Sequence, residues 1–228
     1  GQSTTDTGGG IWVTGGHGTA TSSGAIAIRT SNAGTAGVSG VLSFSSGTAS
    51  EGTSGAVVIG TGSAAKGKGG DISLSVGSGD LAAGGDITLS AGRSTSDTGG
   101  GIWVTGGYGE GTSSGAIAIR TSDAGTNGVS GVLSFSSGTA SSGTSGAVVI
   151  GTGSASTGKG GDISLSVGSG DLAAGGDITL TAGQSTTDTG GGIWVTGGHG
   201  TATSSGAIAI RTSNAGTAGV SGVLSFSS

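Results

Sequence analysis

Apolar residues occur along this chain in pairs separated by one residue, and the pairs return at a nearly fixed interval. Each pair follows a glycine. Gly9 precedes Ile11 and Val13, Gly24 precedes Ile26 and Ile28, and Gly40 precedes Leu42 and Phe44. Gly55 then leads to Val57 and Ile59, Gly70 to Ile72 and Leu74, and Gly85 to Ile87 and Leu89. Gly100 restarts the series, and the intervals from Gly9 to Gly100 are 15, 16, 15, 15, 15 and 15 residues. Alternation with a period of two is the pattern of a short strand with one face covered, and the β-branched residues suit such a face. A helix would need apolar positions three and four apart and far fewer glycines.

The six intervals sum to 91, and 91 is also the spacing of the rarer residues. Trp12, Trp103 and Trp194 follow it, as do Phe44, Phe135 and Phe226, and Arg29, Arg120 and Arg211. Residues 1–46 and 183–228 are identical, whereas 1–91 and 92–182 differ at eleven positions, among them Gln2/Arg93, His17/Tyr108, Glu51/Ser142 and Lys66/Thr157. Ten of the eleven fall outside the apolar segments, and Ser90/Thr181 is conservative. The chain reads as one continuous repeat segment over 1–228, with units 1–91, 92–182 and a partial 183–228. The pattern runs to both ends without an atypical cap, so a longer tandem array is expected.

A short strand recurring every fifteen residues cannot bury its face alone, and stacking successive copies would do so. The sequence therefore predicts an all-β fold, a parallel β-solenoid (β-helix) of about fifteen coils with six coils per 91-residue repeat. The small residues Ala33, Ala49, Ala64, Gly79, Ser94 and Gly109, nine positions after the glycines, suggest a thin coil whose walls approach closely. Parallel crossovers favour the right hand.

Composition offers one competitor. Glycine supplies 58 of 228 residues, far above the usual share of about 7%, as in a disordered Gly/Ser linker. Strict strand periodicity and a net charge of only −5 weigh against that reading, because disordered chains usually pair low hydrophobicity with high charge. Collagen is excluded by the absence of Pro and of glycine at every third place. Without Cys there is neither a disulfide framework nor a thiolate site. No apolar run approaches the length of a membrane span, and the pI near 4.6 argues against a nucleic-acid partner.

Candidate chemistry is sparse. Gly62–Gly69 (GSAAKGKG) resembles a phosphate-binding loop, but no Ser or Thr follows Lys68 and a strand pattern replaces the required helix. Gly153–Gly160 has the same defect. Asp71 and Asp86, repeated as Asp162 and Asp177, would stack on successive coils and are weak candidates for a cation site. The plainer reading is solvated carboxylates screened by Lys68 and Lys159. His17 and His199 face Tyr108 at the equivalent position, an exchange that a general base or metal ligand would not survive. No nucleophile, base and orienting group come together, so neither catalysis nor a cofactor is expected. Trp12, Trp103 and Trp194 are expected to point outward, close to an arginine of the next coil. Together with Arg29, Arg120 and Arg211 they are the candidates for lateral contact.

The segments GGDISLSVGSGD, SGAVVIGTGSA, VSGVLSFSSGTA and SGAIAIRTS resemble a class of very large, Ser/Gly-rich secreted repeat proteins of diatoms and other stramenopile algae. The resemblance covers the whole chain and carries no catalytic residue across. It implies an extracellular or cell-surface location and a structural shaft, as in adhesive fibres, wall components or flagellar hairs. The expected partners are further copies or other fibre chains, with glycans in addition. Two alternatives are an ice-binding solenoid and the spacer stalk of a large adhesin. The first needs a flat file of threonine, which Trp12, Arg29 and Val58 interrupt.

Overall fold

The computed structural model describes residues 1–227. Among them there is no helix and no strand, so the predicted β-solenoid does not form. The chain is an irregular coil, divided into two units, Gly1–Ala116 and a second from Ile117 onward.

Both units are strings of closed loops. In the first, the amide of Gly9 donates to the carbonyl of Gly1 at 2.9 Å, that of Gly24 to Gly16 at 2.8 Å, and that of Gly85 to Gly77 at 3.1 Å. Gly100 closes on Gly92 at 2.9 Å and Gly115 on Gly107 at 2.8 Å. Another loop is clipped by a side chain, with Thr61 Oγ1 donating to the carbonyl of Gly70 at 3.0 Å. Thr30 faces Gly40 and Ser46 faces Gly55 across the necks of two more. The second unit repeats the plan: Gly176 closes on Gly168, Gly191 on Gly183 and Gly206 on Gly198, while Thr152 Oγ1 donates to Gly161. The glycine heading each apolar pair is thus the residue that closes the loop before it. The extra residue of the one 16-residue interval lies between Thr30 and Gly40, inside a loop, and leaves the apolar pair undisturbed.

This local closure explains why no coil winds. A solenoid would pair each backbone with residues about fifteen positions away, whereas these amides are bonded eight positions back within their own interval. The apolar pairs are too few to reverse that preference. Fixing one residue costs about 1–2 kcal/mol, and full burial of an Ile, Val or Leu side chain returns about 1.5–3 kcal/mol. Each interval has two to four such side chains, and its glycines lose the most freedom on ordering.

No core results. Among the described residues none is buried. The accessible surface is 22089 Å², against about 9,000 Å² for a folded protein of this mass and about 30,000 Å² for a fully extended one. Alternation in exposure is uneven: Val41 is 91% exposed and its neighbour Leu42 49%, but Ile11 is 92% exposed and Trp12 85%. The little cover that exists is in the loops. The ten half-buried residues are Gly18, Thr30, Ser94, Gly106, Gly109, Thr121, Ala182, Ser185, Gly197 and Gly200. Each sits at a neck or at the third position of a loop.

The third position corrects the thin-coil expectation. Ser94 and Gly109, like Gly18 before them, are small because the loop folds over its own backbone, since two coil walls are not there to meet. A Cβ added at Gly18 would lie 2.5 Å from the carbonyl oxygen of Ser22, and one at Gly109 2.5 Å from that of Ser113. Left-handed backbone does not account for the glycine content, because among the described residues only Gly143 has a positive φ. Gly18→Val, Gly109→Val and Gly200→Val should therefore open three loops selectively. Hydrogen exchange at the amides of Gly24, Gly115 and Gly206 should rise about 2- to 10-fold, the worth of one net hydrogen bond, with Gly100 unchanged.

Candidate functional site

The loops also hold the most developed local polar structure. In the loop from Gly92 to Gly100, Ser94 Oγ accepts from the amide of Asp97 at 2.9 Å, and Asp97 Oδ1 accepts from the amide of Thr98 at 2.7 Å. Ser3, Asp6 and Thr7 make the same arrangement in the first copy, and Ser185, Asp188 and Thr189 in the third. Such serine and aspartate side chains satisfy backbone donors that irregular chain would otherwise leave to water. Asp6, Asp97 and Asp188 are occupied in holding a turn.

Asp71 and Asp162, just before their apolar pairs, have a different setting. Lys68 Nζ donates to Asp71 Oδ2 at 2.8 Å, and Lys159 to Asp162 at 2.7 Å. These side chains are about three-quarters exposed, so each pair contributes little to stability. At the corresponding place before Asp86 and Asp177 the chain has Ala83 and Ala174. Stacking of Asp71 on Asp86 required successive coils in register, and that register is absent. Among the described residues no three His, Asp or Glu side chains come together to hold a metal ion. The phosphate-loop look-alike at Gly62–Gly69 is the interior of the loop clipped by Thr61.

Each tryptophan lies against the glycine two residues before it, Trp12 by a different edge of the ring from the other two. Trp103 and Trp194 each lay the indole against the glycine two residues before, so that a Cβ at Gly101 or Gly192 would be 3.1 Å from Nε1. The ring of Trp12 is likewise against Gly10. The rings are otherwise in water, Trp103 being 92% exposed. Ile102 and Val104 on either side are exposed too, so the chain has no inner face for the rings to point away from. Neighbouring coils are missing, and with them the basis for seating Trp103 beside Arg120. Arg29 instead borders a shallow hollow of about 350 Å³ with Thr30, Ser31 and Asn32. Arg120 borders one of about 320 Å³ with Thr121, Ser122 and Asp123. Four consecutive residues line each hollow, and neither gathers groups from elsewhere in the chain.

His17, Tyr108 and His199 occupy the second position of equivalent loops. Ten of the eleven differences between the first two copies lie inside loops; Ser90/Thr181 stands just before a neck. Sequence reasoning missed these loops, although a signal was present: Gly1, Gly16, Gly77, Gly92 and Gly107 each stand eight residues before a glycine of the apolar beat. Among the described residues no helix is long and apolar enough to cross a membrane. Comparison with protein-family models, with curated proteins and with solved structures returned no match.

Proposed function

We propose that this chain is a non-enzymatic structural element of the extracellular space, a repeat segment of a fibre or surface shaft whose copies associate side by side. The observation that carries this reading is repetition without a buried residue among those described. A 91-residue unit recurs with eleven changes, and no place in it gathers groups for chemistry. The extracellular placement rests on the Ser/Gly-rich resemblance. Side-by-side association is supported by apolar pairs left in water and by Trp12, Trp103 and Trp194 presented at equal intervals. Exposed aromatic residues are the ones that most often anchor protein contacts. Ice binding loses its support, because among the described residues no strand holds side chains in a flat file.

The test is sedimentation of the chain beside its Trp12→Ser, Trp103→Ser, Trp194→Ser variant. The unmodified chain should form large assemblies, and the variant should weaken association at least tenfold, the least expected from losing contact anchors. Equal association of the two would remove the tryptophans from the contact. A chain that stays single at high concentration would make it a spacer stalk.

A further inference from the structure

We infer that the closed loops are reserves of length, which make the chain reversibly extensible under low tension. The inference rests on the structural role proposed above and adds to it a mechanical property. Eight loops are closed by a single glycine-to-glycine hydrogen bond between residues eight apart, from Gly1–Gly9 to Gly198–Gly206, with N···O distances of 2.8–3.2 Å. A bond of that kind holds its two residues within about 5 Å of each other. The same eight steps pulled straight span about 27 Å. Each loop thus hides about 20 Å, and the eight together hide about 160 Å.

Three observations make the reserve gradual. The closing bonds lie on exposed chain, where one hydrogen bond has a small net worth. The loops lie in separate stretches of chain and close within themselves, so opening one leaves the next intact. They also differ in strength. The loops beginning at Gly1, Gly92 and Gly183 carry the additional serine and aspartate bonds to the backbone, whereas the one beginning at Gly16 has only its neck among these bonds. Loops of the Gly16 type, at Gly107 and Gly198 in the other copies, open first and the serine-capped ones later. Length is released in steps, with no single rupture.

Single-molecule stretching of the whole chain, held by its two ends, tests this against a Gly/Ser chain of equal length. Fitted as a flexible chain at tensions below a few piconewtons, where the necks hold, the chain should have a contour length about 160 Å shorter than that reference. The two should coincide at higher tension, and relaxation should retrace extension. Gly18→Val, Gly109→Val and Gly200→Val together should remove three of the eight loops and reduce the deficit to about 100 Å. A sawtooth with rupture lengths near 300 Å, one 91-residue unit at full extension, would overturn the inference. So would a curve matching the Gly/Ser chain at all tensions, or a variant indistinguishable from the unmodified protein. Stretching uses one molecule, so its outcome is independent of side-by-side association. A length deficit without assemblies would defeat the fibre reading alone, and assemblies without a deficit would defeat the length reserve alone.

Discussion

Heated in solution as single molecules, the chain should show no heat-absorption peak and no cooperative change in circular dichroism. A folded protein absorbs about 0.7 kcal/mol per residue at its transition, about 160 kcal/mol for this length. That enthalpy comes from packing that is not present, since no described residue is buried. The necks should instead melt independently, giving a shallow slope over the whole range. Heat capacity should not step upward either, because the Ile, Val and Leu side chains that would be newly hydrated are already in water. Scanning calorimetry on dilute, freshly separated single chains is the measurement, and a sharp peak would show that the chain has a packed core.

Proteolysis should give the second large effect. Trypsin should cut after Arg29, Lys66, Lys68, Arg93, Arg120, Lys159 and Arg211 at rates within about tenfold of those in denaturant. A folded domain protects its interior sites by about 10³-fold or more, because cleavage waits for opening. Every one of these seven residues is exposed, and each neck opens with a free energy of about one hydrogen bond. Mass spectrometry of the early fragments would show cleavage at all seven positions together. Survival of a fragment spanning a whole 91-residue unit would mean that the unit folds.

The places where the loops close were readable from the glycine spacing. Gly9, Gly24, Gly40 and their successors mark the intervals in the structure as they do in the sequence, whereas the apolar pairs gain no covered face, Ile11 being 92% exposed beside Trp12 at 85%. What misled was the step from alternation to stacking. Ile26 and Ile28 have the right period for a strand, but period alone does not say whether the partner is a distant coil or water. The competing information lay in the glycines at the other side of each loop. Gly16 and Gly24 bond to each other, and that bond takes up a donor the ladder would have needed. At the candidate sites, the pairing of Lys68 with Asp71 follows from their separation by three residues. The seat of Trp103 on Gly101 could not be read, because an indole has several neighbours it can reach and the spacing favours none.

The closing of each loop on itself also bears on wear. In a protein with one packed core, a single cut or oxidised side chain loosens everything around it. Here an injury to the loop between Gly107 and Gly115 leaves those beginning at Gly92 and Gly168 as they were. Short of a break in the backbone, damage stays where it occurs, and the chain loses its loops one by one, each without effect on the next.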